Sequence, residues 1–236
     1  MNEIIRKRKS IRKYDLAPLD AGVLETVRSR IETLVPLCPG INYSVEIVNK
    51  TKGIFSVKAP HYLIFGSEEK DVAYENIGFI GQQMDLFFSG SGLGSCWLGS
   101  SKPEKASGLP FVIAMSFGKP AEPPHRELPD FNRKPPAEIS EGSDSRLEAA
   151  RLAPSAMNAQ NWYFIAENGN IRCYRKNANH PLGFIYDKMH RIDMGIAIRH
   201  IAEESEDFCF SKEADAPVRK GHIYTGTVGS GNGQAY

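Results

Sequence analysis

The sequence predicts an α+β protein assembled from two halves of the same layout, and three observations carry that expectation. The chain has 236 residues, 41% hydrophobic and 24% charged, which is enough for a substantial core. A helix–loop–strand order occurs near the start and again beyond residue 144. Between the two copies, residues 118–143 are crowded with Pro120, Pro123, Pro124, Pro129, Pro135 and Pro136, the composition of an extended connection.

In the first half, Leu19 to Glu32 has helical periodicity, Leu34 to Gly40 reads as a loop, and Tyr43 to Val48 as a strand. A long helical pattern follows from Asn76 to Ser89, where Phe79, Met84, Phe87 and Phe88 fit one core-facing flank. In the second half, Ser145 to Leu152 is helical, Ala153 to Gln160 a loop, and Trp162 to Ala166 a strand that turns through Asn168-Gly169-Asn170 into Ile171 to Tyr174. A second long helix is expected from Asp193 to Glu206, then a strand from Ile223 to Val228 and a tail from Gly229. The two loops share a Pro after a small apolar residue, Val35-Pro36 and Ala153-Pro154. The order matches a tandem duplication, with halves at 1–118 and 144–236 and a connection at 119–143, although any α/β chain alternates such elements.

Charge and cysteine usage exclude several classes. Lys plus Arg total 29 against 28 for Asp plus Glu, so no global field favours nucleic acid or an anionic membrane as partner, and an anion must be caught locally. Cys38, Cys96, Cys173 and Cys209 show no CxxC spacing, which disfavours a metal cluster or disulfide framework and fits a reducing, cytoplasmic setting. The six histidines form no metal-binding pattern. The basic N-terminus has no apolar stretch of a secretory signal, and no run nears the roughly 20 apolar residues of a membrane span.

Four clusters carry candidate chemistry. Arg8-Lys9-Ser10-Ile11-Arg12 groups guanidinium forks, an ammonium and a hydroxyl, suitable donors for a phosphate monoester, though a solvated basic arm has the same composition. Gly90 to Ser100, with four glycines around Trp97, would let backbone approach a flat ligand. It matches neither a Walker loop nor a dinucleotide fingerprint, and a glycine helix cap beside a buried Trp is the plainer reading. Ala153 to Trp162 offers Asn158 and Gln160, whose amides can donate and accept at a heteroaromatic edge. Arg133-Lys134-Pro135-Pro136, after Gly118-Lys119-Pro120, can return positive charge toward the N-terminus.

Together, Arg-Lys-Ser-Ile-Arg, Gly-Leu-Gly-Ser-Cys-Trp-Leu-Gly, Arg-Lys-Pro-Pro and Ala-Pro-Ser-Ala-Met-Asn-Ala-Gln-Asn-Trp resemble the nitroreductase superfamily of FMN enzymes, over most of the chain. The order departs from the typical family pattern, in which the Pro-Ser motif comes early and the glycine motif late, and Asn161 stands where the family usually has Pro. Typical members are intertwined homodimers with flavins at the interface. The changed order resembles a single-chain subgroup in which one polypeptide mimics that dimer, which implies one FMN per chain and a monomer.

The resemblance further implies that Arg8, Lys9, Ser10, Arg12, Arg133 and Lys134 hold the FMN phosphate. Trp97, Leu98 and Gly99 would line one ring face, with a main-chain N–H of Leu98 to Ser100 near flavin N5. Pro154, Ser155, Ala156 and Asn158 would reach the ring from the second half. NADH or NADPH would donate electrons, and a nitroaromatic, quinone or similar small acceptor would receive them. No side-chain nucleophile is required when the cofactor carries the hydride chemistry, so Cys96 is expected to pack as a small apolar residue. A flavin-binding protein without turnover, or a different flavin reaction on the same fold, are the rival readings.

Overall fold

A computed structural model describes residues 2–53, 57–105, 108–179 and 182–230. The chain runs α1 (Glu3–Lys7), α2 (Ala21–Glu32), β1 (Tyr43–Val48), β2 (Thr51–Gly53), β3 (His61–Ser67), α3 (Ala73–Gly90), β4 (Gly94–Leu98), β5 (Ser101–Pro103) and β6 (Phe111–Gly118). It continues with α4 (Pro136–Ile139), β7 (Ser140–Glu141), α5 (Arg146–Leu152), β8 (Trp162–Glu167), β9 (Asn170–Lys176), α6 (Gly183–Ala202), β10 (Phe208–Ser211) and β11 (His222–Ser230). One sheet has the order β1-β3-β6-β4, the second β10-β11-β9-β8-β7, and β2 pairs with β5. Every pairing is antiparallel except β7 with β8. The expected α+β class is what the chain forms.

Two long helices, α3 and α6, pack against each other at the centre. Their crossing is closed by glycines: a Cβ on Gly78 would lie 2.1 Å from the carbonyl oxygen of Ile192, and one on Gly195 1.9 Å from that of Glu75. Backbone therefore meets backbone where the two helices cross. Phe79, Met84 and Phe88 are buried in the main core with Ile192, Met194 and Ile198 of α6, as the flank of the first helix predicts, and Phe87 packs on that core partly buried. The dominant stabilisation is this apolar burial, shared between the two sheets and the helix pair.

Four sequence expectations need correction. Helix α6 begins at Gly183, ten residues before Asp193, and ends at Ala202. Residues 90–100 are not a glycine loop: the chain turns at Ser91 to Leu93 and then enters β4, whose Gly94 would drive a Cβ to 2.7 Å from that of Ile11. The glycines there admit the N-terminal segment as a neighbour of β4, with the Ile11 N–H bonded to the Ser95 carbonyl at 2.8 Å. The Pro-rich connection holds α4 and β7 as well as extended chain, because β7 finds an edge partner in β8. Of the expected C-terminal tail, Gly229 and Ser230 extend β11 and the rest lies outside the described residues.

The connection also runs back along the N-terminus. Bridges pair Arg8 with His125 and Tyr14 with Pro120, and the Arg126 N–H reaches the Lys7 carbonyl at 3.0 Å. Among the described residues no helix is long and apolar enough to cross a membrane. The four cysteines are free thiols.

Candidate active site

A cleft opens where the N-terminal segment, the returning connection and the loop after α5 meet. Its larger part, about 600 Å³, is walled by Arg8, Lys9, Ser10 and Arg12 from the first half, by Arg126 and Arg133 from the connection, and by Pro154, Ser155 and Asn158 from the second half. Five cationic side chains face one carboxylate, Asp130, in that part. A smaller apolar extension of about 120 Å³ shares Ser10, Arg12, Pro154, Ser155 and Met157 with it and adds Trp97, Gly99, Ile113, Ala156, Met189 and Asp193. One chain supplies both walls.

The charged end is dominated by guanidinium groups. Arg8 is 1% exposed; its Nε sits 2.8 Å from Asp85 Oδ2. That contact is ionic and not a directed hydrogen bond, since Nε counts with Nη1 among buried nitrogens that have no hydrogen-bond partner. Arg8 Nη2 donates to Ser10 Oγ at 3.0 Å. Arg126 lies 3.7 Å over the Phe131 ring and donates from Nε to the Arg8 carbonyl. Burial first, then the guanidiniums of Arg126 and Arg8, push the Arg133 pKa down, and burial with Arg8 does the same to Arg126. Guanidinium stays protonated in proteins, so these shifts register positive charge without enough counter-charge. Buried donors left unpaired are costly, and an anionic oxygen group is the chemistry that would offset both deficits.

The loop after α5 is held under backbone strain. Met157, Asn158 and Gln160 have φ of 52°, 57° and 50°, a left-handed conformation that costs non-glycine residues about 1 kcal/mol or more each. The surrounding bonds enforce it. Arg133 Nη1 donates to Asn158 Oδ1 at 2.6 Å and Nη2 to the Leu152 carbonyl at 3.1 Å. Ser155 Oγ accepts from the Gln160 N–H, and Gln160 Oε1 from the Lys134 N–H. At the apolar end, both oxygens of Asp193 accept from the Ala156 N–H, at 3.0 and 3.1 Å.

The sequence-derived residues fall into three groups. Arg8, Lys9, Ser10, Arg12, Arg133, Pro154, Ser155 and Asn158 line the charged part, and Trp97, Gly99, Pro154, Ser155 and Ala156 the apolar part. Lys134 and Leu98 line neither: the Lys134 ammonium donates to the carbonyls of Ala159 and Gln160, and Leu98 is buried in a satellite cluster behind β4. The Asn158 and Gln160 amides are spent within the loop and its clamp, Asn158 Nδ2 on the Asn132 carbonyl and Gln160 Nε2 on the Asn158 carbonyl. Asn161 donates to His190 Nε2. Cys96 packs in the satellite cluster as expected, and burial pushes its thiol up.

Sequence reasoning missed Arg126, Asp85 and Asp193. Arg126 stands alone after prolines and carries no local signature. Asp85 did leave one: it is a lone charge amid the apolar flank of α3, the mark of a buried pair. It anchors a network in which it accepts from Ser95 Oγ at 2.7 Å and Gln82 Nε2 at 2.9 Å. Gln82 in turn contacts His200 Nε2 and accepts from Trp97 Nε1. Arg8 at one end of the cleft and Trp97 at the other are thus tied to one buried amide.

His200 in that network is held neutral. Burial lowers its pKa to about 3, below the unfolded value near 6.5. The unfolded chain therefore binds the extra proton first as pH falls, so this contribution to stability is complete above about pH 6.5 and lost below it. Urea titrations from pH 7 to pH 4 are expected to show a shallower decline in His200→Gln than in the parent. An equal decline would place the acid sensitivity elsewhere.

The family model described as "Putative TM nitroreductase" matches residues 1–205. The chain belongs to this nitroreductase family. Among solved structures, a "putative nitroreductase" of Thermotoga maritima is similar over 96% of this family member and 90% of its own chain, at 20% identity and a TM-score of 0.64. A nitroreductase family protein of Clostridium difficile covers 58% of the chain and 96% of its own, at 18% identity and TM-score 0.48. An FMN-dependent nitroreductase of the same species covers 56% and 95%, at 18% identity and TM-score 0.44. No curated protein matches.

Proposed function

We propose that this nitroreductase family member is an FMN-dependent oxidoreductase, passing hydride from NADH or NADPH to a nitroaromatic, quinone or similar small acceptor. The observation that carries the reading is the polarity of the cleft: unpaired buried guanidinium nitrogens of Arg8 and Arg133 at one end and an apolar slot between Trp97 and Pro154 at the other. A planar ring joined to a phosphate by a polar chain has that same polarity. Bound FMN would supply the hydride chemistry; the chain supplies binding and orientation.

Arg8, Arg12, Arg126 and Arg133 would hold the phosphate, with Lys9 at its margin, since Lys9 is shared with Glu122 and the Pro123 carbonyl. Arg12 forms no ion pair among the described residues, which leaves its guanidinium for the ligand. Pro154, Ser155 and Ala156 would face the ring from the second half and Trp97 with Gly99 from the first. Ser10 and Trp97 precede the connection while Ala156 and Asp193 follow it, so the cleft supports one flavin per chain, a monomer, and the tandem duplication.

Soaking the purified protein in FMN and measuring the flavin-to-chain ratio with the solution mass tests the site: one flavin on a monomer is expected, and two per chain would end the duplication reading. Anaerobic NADH or NADPH should bleach the bound flavin, and a nitroaromatic should restore the colour. A yellow protein that neither nucleotide bleaches would instead be a flavin binder.

A further inference from the structure

Asp193 is 4% exposed and lines the apolar end of the cleft. Its two oxygens share one donor, the Ala156 N–H. The charged or titratable groups on the elements around it are committed elsewhere among the described residues. Glu75 on α3 takes Arg191, Asp85 on α3 takes Arg8, and His190 on α6 turns to Asn161. Arg12 and Cys96 also line the apolar extension, where the Cys96 thiol turns to the Trp97 carbonyl and, among the described residues, no ion pair joins Arg12 to Asp193.

The other half performs the same anchoring with an amide. Asn76 Oδ1 on α3 accepts the N–H groups of Leu37 and Cys38 at 2.8 and 3.1 Å, in the loop that begins Val35-Pro36 as the cleft loop begins Ala153-Pro154. Asn76 lies two residues before Gly78, and Asp193 two before Gly195, the pair of glycines at the helix crossing. A neutral oxygen acceptor is therefore sufficient to tie such a loop to its helix. What a carboxyl adds is a proton, and it is added on the side that lines a cleft.

Resting on the FMN reading, we propose that Asp193 is a neutral carboxylic acid at the ring end of the cleft, whose proton must be retained for the flavin to bind. Burial, against the single N–H of Ala156, raises its pKa to about 7. A flat ring that displaces water from the slot deepens the desolvation, so the bound state favours the protonated acid and affinity falls as that proton leaves. Competing titrations are few. The FMN phosphate is essentially a dianion above about pH 7, burial holds His61, His190 and His200 neutral, and burial raises the Cys96 thiol.

The test is FMN affinity from pH 7 to 9, read by quenching of flavin fluorescence in the full chain. The parent is expected to weaken by up to about tenfold per pH unit at the steepest point. Asp193→Asn, which restores the arrangement of Asn76, should bind at all these pH values with a nearly flat profile. Asp193→Ala, which removes the acceptor for Ala156, should bind more weakly throughout. The infrared carbonyl band of a protonated carboxylic acid should be present in the flavin-free parent at pH 6 and absent from Asp193→Asn. An Asp193→Asn profile as steep as the parent's, or no loss of that band, overturns the proposal while the flavin reading stands. Failure of the parent to bind FMN at any pH overturns the flavin reading itself, and this inference with it.

Discussion

Arg8→Met is expected to abolish flavin binding and to lower stability by about 3–5 kcal/mol, the cost of leaving a buried charge without its partner. Asp85 would be that charge: it is 1% exposed, and its remaining donors, Ser95 Oγ and Gln82 Nε2, are neutral. The two effects have different origins and can be separated. Arg8→Met/Asp85→Leu removes both charges, so thermal stability should recover most of the loss, because an apolar pair of similar volume often replaces a buried ion pair at no net cost. Flavin affinity should not recover, since the phosphate would still lack Arg8. A double variant that regains FMN binding would mean that Arg8 serves the fold alone. One as unstable as the single variant would mean that the Asp85 charge is not what Arg8 offsets.

Much of the scaffold was legible because periodicity and turn chemistry are local. Tyr43–Val48 forms the strand its residues predict, and Asn168-Gly169 makes the turn between β8 and β9, with Asn168 and Gly169 at φ of 51° and 75°. The arginine motif and the Pro-Ser loop were legible as motifs because their residue types suit an anion and a heteroaromatic ring. What they do with those groups was not legible. Asn158 and Gln160 look like ligand contacts in sequence, yet the Asn158 amide is taken by the Arg133 guanidinium and the Asn132 carbonyl, and the Gln160 amide by the Lys134 N–H and the Asn158 carbonyl. Lys134 looks like a phosphate ligand, yet its ammonium closes the same loop. Such commitments depend on which carbonyls a tertiary neighbour leaves unpaired, which no spacing rule encodes. Residues 90–100 show the same limit: glycine permits close approach but does not name the partner, here Ile11 instead of a ligand.

The site's precision rests on a region far simpler than the loop. Gly195→Ala should cost about 3 kcal/mol, roughly 10 °C in Tm for a chain of this size, although it removes no contact. The added methyl would lie 1.9 Å from the Glu75 carbonyl oxygen and 2.7 Å from its carbon. Neither atom can give way without moving the backbone of a buried helix, so α3 and α6 must separate. Separation shifts Trp97, whose indole is bonded to Gln82 on α3, relative to Asp193 on α6, and the two line the same slot. Flavin affinity should therefore fall with stability, unlike in a variant that merely loosens the periphery. Gly78→Ala meets the Ile192 carbonyl at 2.1 Å and should behave alike. The double variant gives the sharper result: once one methyl has forced the helices apart the second finds room, so the combined loss should be well short of the sum. Full additivity in thermal unfolding would show that the two glycines do not share one crossing, and that α3 and α6 are held at their working distance by something other than this backbone contact.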